Sequence, residues 1–173
     1  ATDDDVAARL ATLRERFAEG FGLLSYFGHA GIDRMASEKL LSSGDVAAFP
    51  PTEGTPLVLA LTCVLNRFGV PGYPSLGETL TNRAAAGAVA VWSSSGLSDH
   101  ANAAARARHA FGALSAEREM RIGDAVQKAA GAYVEGGGAP STLAFYNLLG
   151  DPALLIKQPP APPTSTPRPG GSR

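Results

Sequence analysis

Hydrophobic positions recur along the chain with two different periods. Val6, Leu10, Leu13 and Phe17 follow helical spacing, and Asp3 to Asp5 suit a helix N-terminus, so residues 3–19 are predicted to form an amphipathic helix ended by Gly20 and Gly22. Leu23 to Phe27 reads as a short buried strand, with Gly28-His29-Ala30-Gly31 as the loop at its C-terminal end. Ser43 or Asp45 caps a short helix to Phe49, which Pro50-Pro51 stops. Leu57 to Thr62 is the next strand, and the loop from Cys63 to Pro74 carries Gly69, Pro71, Gly72 and Pro74. Ser75-Leu-Gly-Glu78 is a capping-box pattern opening a helix through Ala86, ended by Gly87. Ala88 to Trp92 is a third strand and Ser93 to Gly96 a loop. Ser98 caps an alanine-rich helix through about Leu114, and Arg121 to Tyr133 forms another with Ile122, Ala125, Val126 and Ala129 on one face. Gly136 to Gly138 is a loop, Leu143 to Leu149 is apolar, and Leu154 to Ile156 is a final short strand.

Strands alternating with helices predict an α/β domain with a mostly parallel sheet. Sites in such sheets lie beyond the carboxyl ends of the strands. His29, Cys63 and the loop of Ser93, Ser94 and Ser95 each follow a predicted strand end, so parallel strands bring all three to one edge.

Composition adds boundaries rather than elements. A chain of 173 residues, 45% of them hydrophobic, supports one core. That domain is assigned to residues 1–157. Residues 158–173 are rich in Pro, Ser and Thr and read as a disordered tail or linker. A formal net charge of -1 gives no global attraction to nucleic acid or an anionic membrane. Apolar runs of about six residues fall far short of the roughly 20 that span a bilayer. The single cysteine excludes an internal disulfide. No signal peptide is present and the first residue is Ala1, so a processed product or an excised fragment is expected.

The chemistry at the common edge is that of a thiol nucleophile. An ordinary thiol is only a few per cent ionised at neutral pH, and an adjacent imidazole takes its proton and later protonates a departing amine. Cys63 and His29 are the candidates. Plainer readings stand beside them: Cys63 as a small buried hydrophobe and His29 as a turn histidine bonded to backbone. Glu78 fits a helix cap better than a second catalytic acid. Trp92 reads equally as a core residue. His100 and His109 are too poorly offset to share a metal, and Arg106 and Arg108 read as a solvated helix face.

Tyr26-Phe-Gly-His-Ala-Gly31, Leu61-Thr-Cys63, Ser75-Leu-Gly-Glu78, Gly87 to Leu97, Arg121-Ile-Gly-Asp-Ala125 and Asn147-Leu-Leu-Gly-Asp-Pro152 occur in an order that resembles the gingipain-type cysteine peptidases of the caspase-like clan. The likeness covers most of residues 20–156. It implies a caspase-like three-layer sandwich, a mostly parallel sheet flanked by helices with its N-terminal strands missing. It implies a cysteine endopeptidase with a catalytic dyad of His29 and Cys63, and an oxyanion hole made by the backbone N–H groups of Ala30 and Cys63. The position after the histidine is commonly glycine in the family; alanine keeps the donor but penalises a positive φ. Trp92, Ser93, Ser94 and Ser95 correspond to a wall of the substrate groove. No cofactor is expected; some family members bind calcium, but no Asp-rich ligand spacing stands out. The expected partner is a peptide or protein substrate; the N-terminal segment is either removed or packed as a separate chain against an exposed sheet edge. The family is largely bacterial and exported, implying a secreted or cell-surface protein. The alternative is a catalytically inactive peptidase-like scaffold or protein-interaction domain.

Overall fold

In a computed structural model the described residues are 3–52, 54–117 and 119–157. The predicted tail from Gln158 onward lies outside them. In chain order the elements are α1 (Asp3–Glu19), β1 (Leu23–Phe27), β2 (Arg34–Met35), β3 (Leu41–Ser42), α2 (Ser43–Ala47), β4 (Leu57–Leu61), α3 (Leu76–Asn82), β5 (Ala90–Ser94), α4 (His100–Ala116), β6 (Glu119–Arg121), α5 (Ile122–Glu135), a 3-10 turn (Pro140–Phe145), β7 (Tyr146–Gly150) and β8 (Leu155–Lys157).

The central sheet has the order β1-β4-β5-β7. β1, β4 and β5 run parallel and β7 is antiparallel to β5. β4 is buried throughout, and its period of two divides the core between two helical layers. Val58 and Ala60 face Phe17 of α1, Val46 of α2 and Leu76 and Leu80 of α3. Leu59 and Leu61 face Ala103, Ala110 and Ala113 of α4 and Ala129 of α5. The result is a three-layer α/β sandwich. The inner face of α4 is built largely of methyl groups, so the helix can lie close to the sheet. β1 alternates between half-buried and exposed positions, with Leu23 and Phe27 about two-fifths exposed (40% and 42%). Among the described residues no strand pairs with its outer edge.

Several boundaries depart from the sequence reading. α3 ends at Asn82 rather than Ala86, because residues 83–87 turn, with Ala85 at φ 57° and the Gly87 N–H bonded to Arg83 O. β5 runs two residues past Trp92. The cap of α4 is Asp99, whose carboxylate accepts from Asn102 N–H at 2.9 Å, rather than Ser98. That hydrogen bond, more than the side-chain one, holds the Asp99 pKa below the usual carboxylate value. The apolar stretch before Gly150 is a strand, and the final strand β8 pairs with β6 outside the central sheet. The hairpin of β2 and β3 was not anticipated.

Candidate active site

β1 and β4 end side by side, with Phe27 paired to Leu61. The chain then diverges into two loops. Buried Thr62 ties them together, its hydroxyl donating to Gly28 O at 2.6 Å. The Tyr26 hydroxyl donates to His29 O at 2.6 Å and fixes the histidine turn from below. Burial raises the Tyr26 pKa, which keeps that donor protonated. On the outer side of the turn, Ala36 N–H bonds to His29 O and Gly31 N–H to Arg34 O, bridging Ala30 to Met35. Ala30 is not among the positive-φ residues, so alanine is accommodated there without strain.

His29 is exposed and Cys63 half-buried, and both line one cleft of about 220 Å³ with Phe27, Gly28, Thr62 and Ser98. His29 also borders a second cleft of about 340 Å³ with Gly31, Arg34 and Ala36. Both main-chain groups of Ser98 engage it: Cys63 Sγ to Ser98 O at 3.3 Å, and Ser98 N–H to Sγ at 3.3 Å. Immediately after the cysteine, Val64 has φ 48°. A β-branched residue in that region is strained by about 1–3 kcal/mol and is held by its surroundings. Here the holders are Val64 N–H to Gly96 O and Asn66 N–H to Ser94 O, both 3.0 Å. The Asn66 side chain adds donations to Val91 O at 3.1 Å and Asn147 O at 3.0 Å.

The family model of peptidase family C25 matches residues 2–157. The chain belongs to peptidase family C25. No curated protein sequence matches it. Among solved structures, this C25 chain is similar to the Arg-specific cysteine proteinase gingipain R, at 20% identity and TM-score 0.75, over 84% of this chain and 36% of that one. It is also similar to the complex of Porphyromonas gingivalis RgpB pro- and mature domains, at 19% identity and TM-score 0.76, over 85% of this chain and 37% of that one. These likenesses show the caspase-like fold. The C25 chain spans little more than a third of the length of either structure.

The remaining candidates are distributed differently from the sequence expectation. Trp92 is a core residue packed with Leu59 and Ala110. Ser93 and Ser94 are fully buried within β5, their hydroxyls donating to Ala60 O at 2.7 Å and Gly96 O at 2.9 Å. These three do not line the cleft of His29 and Cys63, because the strand continues through the segment read as a loop. Ser95 is half-buried, and its hydroxyl joins Phe145 O and Asn147 Nδ2. Glu78 closes a capping box, its carboxylate accepting from Ser75 N–H and Oγ at 2.8 Å each. Among the described residues no group of three or more His, Cys, Asp or Glu side chains is placed to hold a metal.

Arg106 is not on a solvated face of α4. It is 2% exposed, with its guanidinium carbon 4.7 Å from the Tyr133 ring centroid and 4.2 Å from that of Tyr146. Its spacing from Ala103, Ala110 and Ala113 places it in the buried stripe, a signal the sequence carried. Ser98 had no such signal; it meets the sulfur through main-chain groups and Tyr146 through its hydroxyl.

Proposed function

We propose that the chain is the catalytic portion of a cysteine endopeptidase in which Cys63 is the nucleophile and His29 its base. What supports this is that both residues border one cleft at the ends of adjacent parallel strands, with Thr62 bonding the two loops together. In the reaction the thiol turns its proton from Ser98 O to the imidazole, while Ser98 N–H continues to donate to the sulfur. The thiolate then adds to the peptide carbonyl carbon. The imidazolium protonates the departing amine, and water, deprotonated by the same imidazole, hydrolyses the thioester. The Ala30 and Cys63 N–H groups would serve the developing oxyanion; among the described residues neither is donated to a protein acceptor. One such donor contributes about 2.7–4 kcal/mol to a transition state. The thiol–imidazole step itself draws on no cofactor.

The partner proposed for the edge of β1 is the N-terminal portion of the same protein, as a separate chain; the position of β1 at the end of the sheet order among the described residues supports this. The family resemblance supports a secreted or cell-surface location in a bacterium. Among the described residues no helix is long and apolar enough to cross a membrane.

Cys63→Ala and His29→Ala are expected to abolish peptide hydrolysis and labelling by a thiol-directed peptide electrophile, with circular dichroism unchanged. A His29→Ala variant labelled at the wild-type rate would remove the dyad. The occupied sulfur, bonded to Ser98 on both sides, favours a second reading as a non-catalytic scaffold. Absence of hydrolysis by the chain together with its proposed N-terminal partner would select it.

A further inference from the structure

A buried charge ordinarily has a hydrogen-bonded partner of opposite charge. Arg106 is buried in the α4 layer, and its Nε and Nη2 find no hydrogen-bond partner among the described residues. What faces the guanidinium is aromatic: Tyr133 from α5 and Tyr146 from β7. The negative faces of two rings stabilise a desolvated cation, and the cation in turn fixes the rings. The two rings are not equivalent. The Tyr133 hydroxyl is committed to Asn102 Oδ1 at 2.5 Å and pairs with Thr142 Oγ1 at 3.1 Å, and His109 packs edge-on against the ring. The Tyr146 hydroxyl instead pairs with Ser98 Oγ at 3.0 Å, and Ser98 holds the sulfur.

The geometry points to Arg106 as a positioning residue for the Cys63 thiol, acting through Tyr146 and Ser98. The inference rests on the reading of Cys63 as the reactive thiol of the cleft. Arg106, Tyr146, Ser98 and Cys63 form one continuous line of contacts from a buried cation to a group that becomes an anion. Electrostatics agree with the line. Burial raises the Tyr146 pKa, the Ser98 hydrogen bond and the Arg106 charge pull it down, and negative charge on Cys63 pushes it up. Tyr146 therefore senses both ends.

The test uses the full chain and the rate of Cys63 alkylation by iodoacetamide at neutral pH, where the sulfur forms a bond to carbon as iodide leaves. Arg106→Met, which keeps bulk without charge, is expected to slow alkylation about tenfold. Arg106→Lys, which keeps the charge, is expected to recover most of the rate. Tyr146→Phe is expected to match Arg106→Met, and the double variant to be no slower than the slower single. A folded Arg106→Met chain alkylated at the wild-type rate overturns the inference. So does equal slowing by Met and Lys, which packing alone would produce, or losses that multiply in the double variant. If Arg106→Met does not fold, Tyr146→Phe decides: it keeps the ring, and a wild-type rate in it is equally fatal. Peptide-electrophile labelling of His29→Ala in parallel separates this outcome from failure of the dyad.

Discussion

Asn66 is the sharpest place to test how the turn after Cys63 is held. It is fully buried, and its amide donates to Val91 O of β5 and Asn147 O of β7. Its Oδ1 has no hydrogen-bond partner among the described residues and faces Gly77, where an added Cβ would come within 1.9 Å. Asn66→Asp keeps the shape and removes both donors. Each buried carbonyl left without one costs about 1–3 kcal/mol, so the pair costs about 2–6 kcal/mol. At about 2–4 °C per kcal/mol, even the lower end lowers Tm by about 4–8 °C. The loss depends on pH in a fixed direction. Burial and two facing carbonyls push the introduced carboxyl above its unfolded value of about 3.9. The neutral acid restores one donation, so the penalty is smallest below that value and grows as pH rises through the folded one. The assay is thermal unfolding of Asn66→Asp and Asn66→Ala against wild type at acidic and neutral pH. Asn66→Ala is expected to lose stability equally at both. An Asn66→Asp loss independent of pH, or a shift within about 2 °C at neutral pH, would refute the argument.

Two further outcomes follow from the hydrogen bonds and titrations described above. Ser75→Ala removes the cap of α3 and is expected to cost about 1 kcal/mol, read as a fall in Tm of about 2–4 °C. Because the folded Tyr146 pKa is raised, its contribution to stability is intact below the unfolded value of about 10 and is lost as pH climbs through the folded one. Tyr146→Phe should flatten that alkaline decline in denaturant melts, and an unchanged slope would count against it.

Local signals sufficed where local chemistry decides structure. The apolar run of β4 and the Ser75–Glu78 box appear in the structure where the sequence placed them, and so do the loops that carry His29 and Cys63. Non-local contacts account for the rest. Serine is a weak strand former, yet Ser93 and Ser94 extend β5 because Ala60 O and Gly96 O receive their hydroxyls. Ser98 leaves the cap of α4 to Asp99 because its own groups are engaged by Cys63 and Tyr146. β7 was obscured because Tyr146 to Gly150 is only partly covered and its partner strand lies more than fifty residues earlier. Arg106 departs from the solvated face that its charge predicts because it lies in the buried alanine stripe of α4 between two aromatic rings.

That stripe has a mechanical consequence. A surface of methyl groups resists sliding weakly, since few bulky knobs interlock across it. The axial register of α4 then depends on its large anchored group, the guanidinium wedged between two rings. Ser98 stands just ahead of the first turn, so a slip of one residue, about 1.5 Å, would carry it off the sulfur by the same amount. If Arg106 positions the thiol as inferred above, the wedge acts by setting the depth at which the helix seats.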